Sequence, residues 1–299
     1  MSAPLVSIII PTYNRPHFIG IALDSIIAQS YTNWECIVVN DTDDQATTEV
    51  MEAYCGKDSR VQYHKRPSHV PKGVNGSRNF GLSKCKGEFV AFCDDDDFWL
   101  KDKLEKQIEI FKKHPEVGLV TGNFEYVNTD GKRTGRIITH KGNHGYVFEN
   151  LIFKNRTSAI TPMIKKEVID KVGEFNTNFT IFEDWEYWRR IAYYYPFYGM
   201  KEVLACVRLH DDNTSKIVTT QPLEQYIRYR KLNKATLAWG SSRFTKKQQY
   251  TINKIEWQRI NQILTNHCPG LKCKLRFVFD VLVYSPKEFG RLIYLFLKY

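Results

Sequence analysis

Glu88-Phe-Val-Ala-Phe-Cys-Asp-Asp-Asp-Asp-Phe-Trp99 is a short apolar run that stops in four carboxylates. From Phe89 to Cys93 the run is apolar without alternation, the pattern of a strand buried on both faces of a parallel sheet. Asp94, Asp95, Asp96 and Asp97 follow at its C-terminal end, the edge at which open α/β sheets bind ligands. Four adjacent carboxylates repel one another, so their placement calls for a cation or a set of donors to neutralise them. Hard oxygen ligands of this kind suit Mg²⁺ or Mn²⁺, which take one or two protein carboxylates and complete their shell with water and substrate phosphates. The stretch therefore reads as a metal and diphosphate site. The plainer alternative is a solvated acidic turn whose Asp residues cap a helix beginning near Lys101, although Asp97 or Asp102 could cap while Asp94 and Asp96 still project from the strand end. A calcium loop of the EF-hand type fits poorly, because Trp99 stands where that loop needs glycine.

Upstream, strands alternate with helices. Leu5 to Ile10 is β-branched and buried in character, ended by Pro11. A helix follows from Phe18 to Gln29, then a strand from Glu35 to Val39 that again runs into polar residues, Asn40 to Asp44. A helix near Thr47–Tyr54, a strand Val61–His64 and a helix Asn75–Lys84 lead back to the acidic stretch. This order predicts a doubly wound, mainly parallel sheet. There is no Gly-x-Gly-x-x-Gly after the first strand and no Gly-Lys-Ser/Thr ending after Gly76, so phosphates would be held through a metal rather than a glycine cradle.

Downstream, the spacing predicts a helix over Lys101–His114 and a strand over Val117–Tyr126. The turn-rich stretch Asn128–Asn143 reads as a hairpin or a loop over the site. A helix at Val147–Phe153 and strands at Thr161–Ile164 and Leu204–Leu209 complete this part. Glu183 and Asp184 open a Trp-rich helix running to Tyr195. Acidic residues there serve commonly as helix-dipole partners; beside a metal site they are candidates for a general base, in a cleft lined by Trp185 and Trp188. From Pro222 onward the chain reads as helices: Pro222–Trp239, Thr245–Asn266, Leu271–Tyr284 and Pro286–Tyr299.

The 299 residues are 42% hydrophobic and 25% charged, the balance of an ordinary globular protein with a large core. Seven scattered cysteines, none in a Cys-x-x-Cys pair, argue against a zinc site or a disulfide framework. The N-terminus carries no basic segment and no signal-type apolar core, and no run approaches the ~20 apolar residues that span a bilayer, so the expected location is cytoplasmic. The net charge of +10 is uneven: Lys201 to Tyr299 holds 18 Lys and Arg against 7 Asp and Glu. Clusters at Arg228, Arg230, Lys231, Lys234 and at Lys272, Lys274, Arg276, interleaved with apolar residues, point to an anionic membrane surface on the cytoplasmic face, to a partner, or to the protein's own core.

Six motifs in order carry a family resemblance: Val6-Ser-Ile-Ile-Ile-Pro-Thr-Tyr-Asn14, Cys36-Ile-Val-Val-Asn-Asp41, Gly76-Ser-Arg-Asn79, Lys86 through Asp97, Glu183-Asp184, and Arg208-Leu-His210. Over Leu5 to Ser215 the chain resembles the inverting family 2 glycosyltransferases, nucleotide-sugar enzymes of the GT-A fold. The resemblance implies an α/β GT-A domain over 1–215, with a nucleotide half (1–100) and an acceptor half (101–215), followed by a basic helical region over 216–299. It implies that Pro11, Thr12 and Tyr13 line the nucleoside pocket, that Asp41 meets the base, usually uracil, and that Arg78 lies near the diphosphate. Asp94 and Asp95 would touch ribose or metal waters. Asp96, with Asp94 and His210, would hold Mn²⁺ or Mg²⁺. Asp184 would be the base, with Glu183 and Trp185 on the acceptor side. The implied activity is metal-dependent hexosyl transfer from a nucleotide-diphosphate donor, such as a UDP-sugar, to a saccharide acceptor, lipid-linked in bacterial surface polysaccharide synthesis. Asn40 and Thr42-Asp43 depart from the family's usual Asp-Asp and Gly-Ser. The alternatives are a sugar nucleotidyltransferase, for which Thr12-Tyr13-Asn14-Arg15 lacks the phosphate loop, and a non-catalytic basic protein. No nucleic-acid motif is present, and oligomeric state stays open.

Overall fold

The computed structural model describes residues 3–139, 144–155, 157–211, 222–268 and 270–284. The chain divides into two compact units, Met1–His210 and Asp211–Tyr299.

The first unit begins with β1 (Val6–Thr12), α1 (Pro16–Ile27), β2 (Trp34–Asn40), α2 (Gln45–Lys57), β3 (Val61–Lys65), α3 (Val74–Lys84) and β4 (Phe89–Phe92). It continues with β5 (Phe98–Trp99), α4 (Lys103–Lys113), β6 (Leu119–Val127), β7 (Arg133–Ile138), α5 (Phe148–Phe153), β8 (Met163–Lys165), α6 (Lys166–Val172), α7 (Glu183–Tyr194) and β9 (Phe197–Arg208). Among the described residues the strands form one sheet in the order β3-β2-β1-β4-β8-β6-β9-β5, with β7 paired to β6. Strands β3, β2, β1 and β4 are all parallel, so their C-terminal ends share one edge. Beyond β4 the sheet is mixed: β8 runs antiparallel to both β4 and β6, and β9 is parallel to β6.

Every residue of β1 and β2 is buried: Ile8–Pro11 and Cys36–Val39 are apolar, and Ser7 and Glu35 are buried bonded to each other at 2.6 Å. Helix α1 starts with Pro16 at its first position and turns Phe18, Ile19, Ala22, Leu23 and Ile26 onto the sheet. Helix α4 does the same with Leu104, Ile108 and Phe111.

Pro11 does not end the first strand. The Ile9 carbonyl accepts the Cys93 N–H at 3.1 Å, so residues 9 and 11 direct their polar groups toward β4. Pairing with β4 stops at Phe92, opposite Ile9, so the missing N–H of Pro11 costs no ladder bond and β1 runs on to Thr12. The last strand is also longer than expected, beginning at Phe197 rather than Leu204, because β6 supplies a partner along its length. The described part of the turn-rich stretch is a hairpin, with β7 folding back on β6, and residues 140–143 lie outside the described residues.

In the second unit α8 (Pro222–Trp239), α9 (Lys246–His267) and α10 (Leu271–Tyr284) bury Tyr226, Ile263, Leu264, Cys268, Phe277 and Val281 together. Thr245 caps α9 in a reciprocal capping box with Gln248. The basic cluster on α8 is partly internal. Arg230 is buried, bonded to the Tyr226 hydroxyl and 3.6 Å from Glu256, and Arg228 pairs with Glu224. The expected helix over Pro286–Tyr299 lies outside the described residues. No described helix is long and apolar enough to cross a membrane, and all seven cysteines are free.

Candidate donor and base site at the carboxyl edge of the sheet

The register of β1 with β4 builds the first part of the site. Ile9 stands opposite Phe92, so three residues further Thr12 meets Asp95. The Thr12 hydroxyl donates to Asp95 Oδ2 at 2.8 Å, and the Tyr13 N–H reaches the same oxygen at 3.2 Å. Burial pushes the Asp95 carboxyl up to about 6, with the charge of Asp96 adding and Arg15 opposing. Arg15 donates Nη1 to Asp95 Oδ1 at 2.9 Å and to Asp96 Oδ2 at 2.6 Å.

The second part comes from the far end of the chain. Strand β5, directly after the four carboxylates, pairs antiparallel with β9, Phe98 opposite Cys206. That pairing carries Arg208 and His210 alongside Asp97 and Asp96. The Arg208 N–H donates to Asp97 Oδ1 at 2.9 Å, and its Nε donates to the Asp96 carbonyl at 3.0 Å. His210 Nε2 lies 2.9 Å from Asp96 Oδ2, and its ring packs on Phe18. Asp97 is buried and accepts the Arg208 N–H, so it is an internal acceptor rather than a cap, and burial raises its pKa well above the ordinary carboxylate value. Asp102 precedes α4 without a side-chain cap bond.

The four carboxylates thus point to four different sets of partners. Asp94, the most open of them, accepts from Arg78 Nη2 at 2.8 Å. Arg78 is buried on α3, and its Nη1 faces Glu183 Oε1 at 3.5 Å across from Asp94. One guanidinium therefore links the end of β4 to the start of α7. Asp184, the second residue of α7, accepts from Asn155 Nδ2 at 3.1 Å and from the Trp185 N–H at 2.6 Å. The residue before α7, Phe182, holds a left-handed φ of 66°, an unusual conformation for a bulky side chain and one that recurs at functional sites. Burial raises the carboxyls of Asp184 and Glu183, Glu183 to about 7, with the Asp184 charge adding to the latter.

Asp41 lies at the end of β2 with both oxygens engaged: Arg66 donates to Oδ1, and the Gly73 N–H reaches Oδ2 at 2.8 Å. It ties the segment 66–73 down beside Tyr13, whose exposed ring carries Lys72 Nζ at 5.4 Å. Trp185 corrects an expectation. It is buried, and its indole N–H donates to the Leu151 carbonyl, so it and the fully buried Trp188 are core residues rather than walls of a cleft. Helix α7 turns its indoles inward because α5 and the segment around Phe175 pack against it.

Arg15, Asn155 and Asn75 were not singled out by sequence, and Asn79 entered only as the end of the Gly76–Asn79 motif, with no role. Arg15 carried one usable signal, a cation one residue beyond the first strand's loop in a protein with four carboxylates to neutralise. Asn155 and Asn75 carried none.

As a cation site the arrangement is open. Among the described residues no cluster of three or more acidic, histidine or cysteine side chains closes on a metal. Asp96 and His210 do converge, and a carboxylate plus an imidazole fits a divalent ion that completes its shell with phosphate and water. Asp94 is drawn instead to Arg78.

The structure resembles solved GT-A glycosyltransferases. Staphylococcus aureus TarS 1-349 in complex with UDP-GlcNAc superposes with a TM-score of 0.69 at 18% identity, over 92% of this chain and 79% of that one. The mannosyltransferase PcManGT of Pyrobaculum calidifontis, in complex with GDP-Man and Mn²⁺, superposes at 0.62 and 16% identity, over 99% and 86%. The fold is that of the GT-A class. Residues 7–182 match the model of glycosyl transferase family 2, and the chain belongs to that family. The Bacillus subtilis glycosyltransferase TuaG, provisionally assigned to teichuronic acid biosynthesis, is 30% identical over 71% of this chain and 82% of its own length. The Escherichia coli UDP-Glc:alpha-D-GlcNAc-diphosphoundecaprenol beta-1,3-glucosyltransferase WfgD is 38% identical over 42% of this chain. The match covers 48% of WfgD, about half its length.

Proposed function

We propose that this glycosyltransferase moves a hexose from a UDP-sugar to the hydroxyl of a saccharide carried on a lipid diphosphate, with inversion, in the synthesis of a surface polysaccharide. The observation that carries the reading is Arg78, which joins an Asp-rich phosphate edge to a pair of buried carboxylates at a helix start. Pro11, Tyr13 and the segment tied by Asp41 form the nucleoside side, and Asp94 and Asp95 face the ribose and diphosphate. Asp96 and His210 would hold Mn²⁺ or Mg²⁺, and an ion bound there would supply positive charge to neutralise the departing diphosphate. Asp184, its carboxyl oriented by Asn155 and Trp185, takes the proton of the acceptor hydroxyl. Glu183 holds Arg78 in place between the two halves. The acceptor chemistry of WfgD and the nucleotides bound by TarS support the donor and acceptor classes.

The exposed side of α10 carries Leu271, Lys272, Leu275, Arg276, Phe279 and Val283. This apolar and basic face suits the anionic membrane surface from which a lipid-linked acceptor is presented.

Calorimetric titration of UDP into wild type and Asp184→Asn, with Mn²⁺ and then with EDTA, tests the reading alongside transfer assays. Both proteins are expected to bind UDP only with metal, while the variant loses about 10²- to 10⁴-fold in transfer. Failure to bind any nucleotide diphosphate removes the donor site, and near wild-type transfer by Asp184→Asn removes the base.

A further inference from the structure

In this structure the cation between Asp95 and Asp96 belongs to the protein itself. Asn14 takes a left-handed φ of 52°, a conformation asparagine tolerates, and the turn aims Arg15 back over the sheet edge. Arg15 sits at the N-cap of α1, and its side chain is 26% exposed, so it is not sealed within the core. Its Nη1 lies 2.6 Å from Asp96 Oδ2. That is the same oxygen His210 Nε2 approaches at 2.9 Å. The oxygen best placed to ligate an ion together with His210 therefore already accepts from an arginine. The two carboxylates differ in what would remain without it. Asp95 keeps the Thr12 hydroxyl and the Tyr13 N–H on its other oxygen, whereas among the described residues the Asp96 carboxylate keeps only His210.

We propose that Arg15 is an exchangeable counter-ion of the donor site: it holds Asp96 until a divalent ion displaces it, and the displaced guanidinium then binds the donor's diphosphate. The proposal rests on Asp96 and His210 being the ion's ligands, as read above. An arginine stays charged at every working pH, so it cannot vacate Asp96 by losing a proton and must move. Two cations cannot share one carboxylate oxygen at contact distance without repelling each other. A planar guanidinium suits phosphate oxygens in a two-pronged geometry, which gives Arg15 a second anion within reach of the first. Metal and diphosphate then help one another. Metal frees Arg15 for the phosphate, the phosphate draws Arg15 off Asp96, and by linkage each tightens the other by the same factor. Asp96 would in the meantime never stand as a bare carboxylate among three others.

The test is a titration of Mn²⁺ followed by the electron paramagnetic resonance of the free ion, for wild type, Arg15→Gln and Arg15→Lys, each with and without UDP. Circular dichroism establishes that the variants are folded. Without UDP, Arg15→Gln is expected to bind Mn²⁺ about 10-fold more tightly than wild type, while Arg15→Lys, which keeps the charge, stays near wild type. The enhancement of Mn²⁺ binding by UDP is expected to shrink about 10-fold in Arg15→Gln. Unchanged or weaker Mn²⁺ binding by folded Arg15→Gln, with wild type still binding Mn²⁺ and UDP together, overturns the role of Arg15 alone. No Mn²⁺ binding by any protein, even with UDP, overturns the donor-site reading and the proposal with it.

Discussion

Glu183 and Asp184 are neighbours with different partners, and the difference is measurable. Asp184 accepts from Asn155 and Trp185, whereas Glu183 faces Arg78. Burial, and then the charge of Asp184, lift the Glu183 carboxyl from about 4.5 to about 7. Between those two values the folded protein binds this proton more tightly than the unfolded chain does. The contribution of Glu183 to stability is therefore greatest below its unfolded pKa and is lost as the pH rises through 7. Glu183→Gln, which cannot ionise, is expected to exceed wild type in stability at pH 8 by roughly 1–2 kcal/mol, with the gap closing toward pH 5. Denaturant unfolding at the two pH values checks this, and a variant less stable than wild type at pH 8 would contradict it. The acidic run and the Glu183-Asp184 pair were legible as residue types because charge in an apolar context is conspicuous. Their individual partners were not: nothing in a row of four Asp residues says which will meet Arg15, Arg78, Arg208 or His210.

At the scale of elements, α3 is the bracket that holds the two halves of the site together. Asn79 donates Nδ2 to the Phe175 carbonyl and accepts the Phe175 N–H, both at 2.9 Å. One turn earlier Asn75 donates to the carbonyls of Asn176 and Phe179. These bonds pin the segment leading into α7, and Phe175 in turn lies against the Arg78 guanidinium. Between them Gly76 allows the Pro71 carbonyl to approach so closely that a Cβ would sit 1.7 Å from its oxygen. Asn79→Ala leaves a buried N–H and a buried carbonyl without their partner, a loss of roughly 2–4 kcal/mol. Its melting temperature is expected to fall and its kcat to drop more than its donor KM rises, since α7 shifts while the β1–β4 edge stays. An unchanged melting temperature would count against the bracket. Helix α3 itself was readable from the sequence, but its buried polar face was not, because asparagines on a helix read as solvated until their acceptors are known.

For the whole molecule, charge and chemistry are separated along the chain. The carboxylates and their arginines sit in the unit Met1–His210, while the basic excess belongs to the last third. Part of that excess is internal, as Arg228 and Arg230 are paired within their own unit. The exposed face of α10 combines charge with apolar area, with Leu275 and Phe279 one turn apart and Lys272 and Arg276 beside them. Replacing Leu275 and Phe279 together with Ser removes apolar area without touching the core formed by Phe277 and Val281. The double variant is expected to keep its melting temperature and to bind vesicles containing phosphatidylglycerol at least ~10-fold more weakly, because each buried methylene group contributes about 0.8 kcal/mol. Binding equal to wild type in a sedimentation assay would remove the membrane role from this face.

What the sequence by itself determined is the local order. The mainly apolar runs of β1, β2 and β4, the amphipathic stripes of α1 and α4 and the acidic strand end follow from periodicity and composition, which act over a few residues. Only the tertiary structure decided which distant residues share the site. The pairing of β5 with β9 brings His210 to Asp96 across more than a hundred residues, and the packing around α7 turns Trp185 inward while leaving Asp184 beside Asn155. Strand register and helix packing are set by the burial of whole faces at once, and no single stretch of sequence contains that information.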